Sequence, residues 1–123
     1  MGESVATKGG WGDDQRGSMV TAPPRFKIGQ LVHHQKFGYR GVVFDIDLVF
    51  GLSEEWYQQV AQSRPPKSRP WYRILVHNSD HETYVAERHL EADPEGGEIE
   101  NPYLSLFFDT FHGDHYARDR SPN

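Results

Sequence analysis

Phe26-Lys27-Ile28-Gly29-Gln30-Leu31-Val32-His33-His34, followed across Gln35-Lys36-Phe37 by Gly38-Tyr39-Arg40-Gly41-Val42-Val43-Phe44-Asp45-Ile46-Asp47, is the stretch that decides the fold. Two β-type runs meet at a tight turn, and Gly38 and Gly41 permit bends that other residues resist. In the second run, strict alternation places Val42, Phe44, Ile46 and Leu48 on one face and Val43, Asp45 and Asp47 on the other. The expectation is a sheet with one face building a core and the other left for binding.

Downstream, Ser53-Glu54-Glu55 reads as a helix start, a hydroxyl cap followed by acids at the positive end of the dipole. Trp56, Tyr57, Val60 and Ala61 make its apolar stripe, and Arg64-Pro65-Pro66 ends it. Trp71 to His77 alternates as a third strand, Asn78-Ser79-Asp80 is turn chemistry, and Glu82 to Ala86 pairs back as a fourth strand. Glu87 to Leu90 is expected to be a helical turn that drops Leu90 into the core. Asn101 and Pro102 open a last helix, with Leu104, Phe107, Phe108 and Phe111 spaced i, i+3, i+4 and i+7 and Gly113 as its stop. The pattern predicts a mainly β fold: a small antiparallel barrel with an inserted helix and a C-terminal helix.

The 123 residues suit one domain, expected over residues 25–116. Met1 to Pro24, rich in Gly and Pro and without apolar periodicity, reads as a disordered leader, and 117–123 as a flexible tail. There is no cysteine, so disulfides and thiol chemistry are excluded and a reducing cytoplasm is the expected setting. No apolar run is long enough to span a membrane. Thirteen Lys and Arg against eighteen Asp and Glu give a formal net charge of -5, so nucleic-acid binding requires a local basic patch.

Four ordered blocks carry a resemblance. They are Phe26-x-Ile28-Gly29-Gln30-x-Val32-x-His34; Gly38-Tyr39-Arg40-Gly41-Val42-Val43-x-Asp45-Ile46-Asp47; Pro70-Trp71-Tyr72-Arg73-Ile74-Leu75-Val76; and Thr83-Tyr84-Val85-Ala86-Glu87-x-x-Leu90. Together they resemble the YccV-like family, also called the HspQ heat-shock or hemimethylated-DNA-binding family, although Leu48 stands where many members have Pro. The resemblance implies an SH3-like barrel in a bacterial cytoplasmic protein. It further implies binding of hemimethylated DNA and a part in heat-stress handling of the clients of an ATP-dependent protease.

The loop Arg64, Lys67, Arg69, Trp71, Arg73 sets cations beside aromatics, with prolines limiting the entropy lost on binding, and is the local candidate for DNA. Arg40 joins these cations, and Tyr39 or Trp71 could supply the apolar contact that a methyl group in the major groove requires. The competing reading is a solvated connecting loop with Trp71 packed under the helix. Leu104, Phe107, Phe108 and Phe111 are either core or a surface for self-association or a protein partner. Asp45 and Asp47, about 6.5 Å apart on one strand face, could form an acid-base pair, but no nucleophile accompanies them, and a structural role such as pairing with Arg40 or Arg73 is expected. Seven histidines invite a metal reading, yet the adjacent His33 and His34 point to opposite faces, so no metal or other cofactor is expected. No P-loop, G-x-S-x-G or H-E-x-x-H is present. The sequence thus reads as a binding module and not an enzyme: a DNA binder, or alternatively a protein-binding regulator of proteolysis presenting a strand edge or the aromatic C-terminal segment.

Overall fold

The computed structural model describes residues 23–119; the leader lies outside the described residues except for Pro23 and Pro24, as do residues 120–123 of the tail. Five strands, β1 (Leu31–His34), β2 (Arg40–Asp47), β3 (Trp71–Val76), β4 (Glu82–Ala86) and β5 (Leu90–Ala92), form one antiparallel sheet in the order β4-β3-β2-β1-β5. Helix α1 (Glu54–Val60) is inserted between β2 and β3, and a 3-10 turn, Glu87–His89, joins β4 to β5. Ser53 caps α1 as its sequence indicates, its Oγ accepting the Trp56 N–H at 3.1 Å.

The sheet is curled but not closed, which corrects the expected barrel. Its edges are β4 and β5. The 3-10 turn carries the chain from one edge strand to the other, and β5 pairs only with β1, through Val32↔Ala92, His33↔Glu91 and His34↔Leu90. A three-residue β5 spends its backbone on β1 and forms no ladder with β4, so a seam stays open between the two edges.

A β-bulge breaks the strict alternation of β2. Val43 faces Ile74 and Asp45 faces Arg73, leaving Phe44 as the extra residue. Val42 and Phe44 therefore stay on one face, while Ile46 joins Val43 on the other, in the core of Phe26, Val32, Val43, Tyr72, Ile74, Val85 and Leu90. One inserted residue moves every later side chain to the opposite face.

Neither face of the sheet is free. Leu31, Val42 and Leu75 are covered by Ile99, Phe108 and Tyr116, a second apolar cluster contributed by the chain after β5. That segment is not the expected C-terminal helix. Leu104–Leu106 makes one 3-10 turn, and β6 (Thr110–Phe111) and β7 (Tyr116–Ala117) form a short hairpin, so Ala117 of the expected tail is paired with Thr110. Gly113, at φ 95°, serves this hairpin and does not end a helix. The helical spacing of the phenylalanines gives way because their rings are needed against the sheet: Phe108 is buried, and Phe107 packs on Phe44 with centroids 4.5 Å apart. Asn101 does not cap a helix: its Oδ1 accepts the Tyr103 N–H in a local turn, and its Nδ2 donates to the carbonyls of Val76 and His81 and ties the segment to the β3–β4 hairpin.

A third cluster, Tyr57, Ala61, Trp71 and Ala86 with Phe50, Trp56 and Tyr84 packed against it, seats α1 on the end of β3 and β4. Among the described residues no helix is long and apolar enough to cross a membrane.

Candidate nucleic-acid interface

The cations singled out in the sequence are spread among acidic and carbonyl partners. Arg40 is an internal strut: its Nε donates to Asp93 at 2.8 Å and its Nη2 to the carbonyls of Gly96 and Gly97, with the Asp93 side chain fully buried. Lys67 meets Glu54 and lies 4.3 Å from the Tyr57 ring centroid. Arg69 pairs with the buried Glu87 at 3.7 Å, and Arg73 reaches Asp45 and Glu82 while stacking over Tyr84. Arg64 donates to the Tyr57 carbonyl and stays exposed. Trp71 is only 2% exposed, its indole N–H donating to the Pro66 carbonyl, so its ring is the floor of the aromatic cluster. The loop therefore offers Arg64, Lys67 and Arg69 at the surface and withdraws Arg40 and Trp71 from it.

The open seam is the feature the sequence did not reveal. A groove of about 810 Å³ runs along β4, between α1 on one side and the β1–β2 turn on the other. Trp56, Trp71 and Tyr84 line one end; His34, Phe37, Tyr39 and His89 line the other. Tyr39 crosses the seam, its hydroxyl 2.8 Å from Thr83 Oγ1. The β4 side of the groove is a free edge. Val76 N–H donates to the His81 carbonyl and Glu87 N–H to the Pro70 carbonyl, so alternation turns the backbone groups of Thr83 and Val85 toward β3 and those of Glu82 and Tyr84 outward.

The β1–β2 turn is held by His34. Its Nδ1 accepts the backbone N–H groups of Lys36 (3.2 Å) and Phe37 (3.0 Å), which requires the neutral ring with its proton on Nε2. Burial, then the neighbouring His89, His33 and Lys36, holds His34 below the usual imidazole range, and burial with Arg88 and Lys36 does the same for His89. Both histidines titrate near pH 6.5 in the unfolded chain and lower in the folded one. The folded state thus binds fewer protons below that point. Stability is fully present above about pH 6.5 and is lost as pH falls toward the folded-state values. Thermal melts between pH 7.5 and 5 are expected to show a falling Tm, with a shallower fall in His34→Gln; a flat profile in the native chain would contradict this role of His34.

The other sequence candidates resolve as structural contacts. Asp45 lies beside Arg73, and Asp47 accepts the Tyr84 hydroxyl at 2.6 Å, so the two carboxylates serve different partners. Leu104, Phe107, Phe108 and Phe111 pack against the second core cluster, and the exposed apolar residues of that segment are Tyr103 and Leu106. Among the described residues no group of three or more His, Asp or Glu side chains converges as a metal site. Lys36 and Phe37, not among the sequence candidates, also line the groove, and Phe37 is exposed.

A family model described as "Hemimethylated DNA-binding protein YccV like" matches residues 24–115. The chain belongs to the YccV-like family. The match takes in the whole five-stranded sheet, the inserted helix, the β1–β2 turn and most of the segment that covers the second face, so the groove is part of the YccV-like domain.

Proposed function

We propose that this YccV-like domain binds DNA with a preference for hemimethylated duplex, and that the mouth of the groove is where the DNA lies. The family match over residues 24–115 carries this reading. The groove supports it: Lys36, which has no acidic partner among the described residues, lines it, and the loop that reaches it at Ser63 and Pro65 carries the exposed cations Arg64, Lys67 and Arg69. The paired cations can trade carboxylates for phosphates, and the net charge of -5 keeps the contacts few. Binding through the groove calls for no bond chemistry, and a cytoplasmic, heat-stress setting goes with this reading.

Fluorescence titration against unmethylated, hemimethylated and fully methylated duplexes at two salt concentrations tests it. Tightest binding to the hemimethylated duplex is expected, with log K falling against log salt at a slope of about -3 to -4 for about four phosphate contacts. Equal, weak binding to all three would remove the methylation preference.

A second reading is favoured by the β4 edge, whose outward backbone groups are suited to strand addition by an extended peptide. In it, the domain is a regulator that brings clients to an ATP-dependent protease. Faster degradation of a defined client in its presence would support that role.

A further inference from the structure

Phe37 is 70% exposed at the tip of the β1–β2 turn, yet its ring is not idle. Its inner face stacks on His34, with centroids 4.7 Å apart and planes 27° apart, and His34 stacks in turn on His89 at 5.7 Å and 10°. Three rings form a column that runs from half-buried His89 through buried His34 to exposed Phe37. The two backbone N–H groups that donate to His34 Nδ1 fix the backbone of Lys36 and Phe37, so the outermost ring is presented with little orientational freedom left to lose. Lys36 Nζ lies over the Phe37 ring, 5.6 Å from its centroid, so a cation already accompanies the exposed end of the column.

An isolated exposed phenylalanine needs no explanation. One that extends a pre-ordered stack, at the mouth of a groove and with an ammonium that has no acidic partner among the described residues, presents the two elements that single-stranded nucleic acid requires: a π face for a base and a positive charge for the adjoining phosphate. A base inside an intact duplex has both faces covered and cannot use such a column. We infer that the outer face of Phe37 is the seat for one unstacked nucleobase, with Lys36 meeting the phosphate next to it. This rests on the DNA-binding reading and adds to it the state of the base that the site takes. Because every base has a π face, the seat is tolerant of sequence. Gln62, Ser63, Glu82 and Thr83 add hydrogen-bonding groups to the groove lining for the edge of such a base.

The test uses the full chain and three fluorescein-labelled probes: a paired duplex, the same duplex with one unpaired thymidine in a bulge, and oligothymidylate. The bulged duplex is expected to bind about fivefold or more tightly than the paired one, and Phe37→Ala to weaken binding to the bulge and to oligothymidylate by about tenfold and to the paired duplex by much less. Phe37→Trp should keep the affinity and place a reporter on the seat, whose emission, measured against the three native tryptophans, falls when oligothymidylate is added. Lys36→Gln should reduce the salt slope by about one. If the duplexes bind but the bulge gains nothing and Phe37→Ala changes nothing, the seat is refuted and DNA binding stands. If no DNA binds at all, both readings fall together. Quenching of Phe37→Trp by an extended apolar peptide, with no response to oligothymidylate, would assign the groove to protein and overturn the inference. An unchanged melting temperature in each variant separates loss of contact from loss of fold.

Discussion

Gly29→Ala is expected to destabilise the domain by about 3–5 kcal/mol, among the larger single-residue effects available to a protein of this size. Two causes combine. Gly29 sits at φ 93°, where an L side chain is strained, and a Cβ there would lie 2.0 Å from the Tyr116 carbonyl oxygen. The obstacle is backbone, so no rotamer change relieves it. Gly29 donates its N–H to the Val43 carbonyl and accepts the Tyr116 N–H, each at 2.7 Å, so the clash pulls on β2 and on the C-terminal hairpin together. Tyr116 is buried in the second core and its hydroxyl accepts the Ile99 N–H, which means that displacing it uncovers Leu31, Val42 and Leu75. The control is Gly113→Ala, at φ 95° with nothing within 4 Å of the added carbon. It carries the conformational strain alone, about 1–2 kcal/mol. Chemical denaturation of both variants separates the two causes; equal losses would show that the approach of Tyr116 to Gly29 contributes nothing.

Arg40→Ala is expected to cost about 3–5 kcal/mol, because it leaves Asp93 buried without its counter-charge. The Arg40 side chain is 11% exposed and that of Asp93 is 0% exposed, so water does not take the place of the lost partner. Two carbonyls, of Gly96 and Gly97, lose their donor in the same step. Arg40→Met together with Asp93→Leu is expected to recover part of the loss, since an apolar pair needs no desolvation of charge. Recovery should be incomplete, as Asp93 Oδ2 also accepts the Gly96 N–H that shapes the loop. Denaturation midpoints of the single and double variants measure this. A single variant as stable as the native chain would show that Arg40 is a surface cation after all, available to DNA as its position in the sequence suggested.

The contrast between Arg40 and Lys36 shows where sequence reading stopped. Both are cations flanking the same hairpin turn, and a strand pattern gives each the same standing. Asp93 lies 53 positions from Arg40 in the chain, and no local pattern links them. Trp71 was ambiguous between loop and core for a similar reason: its burial depends on α1, Phe50 and Tyr84 arriving together. The C-terminal aromatics failed as a helix because their spacing fits a helix face and their actual partners are the distant residues Leu31, Val42 and Leu75.

By itself, the sequence determined the β1–β2 hairpin, the capped helix α1, the β3–β4 hairpin, the turn before Leu90 and the family, since each depends on alternation, caps and turn residues within a few positions of one another. Only the tertiary structure decided that the sheet stays open, that its second face is covered, and that Phe37 stands at the end of a ring column over a groove. Those outcomes rest on one bulged residue, a three-residue edge strand and contacts between segments far apart in the chain, whose energies are set by packing in three dimensions and leave no periodic trace in the order of the residues.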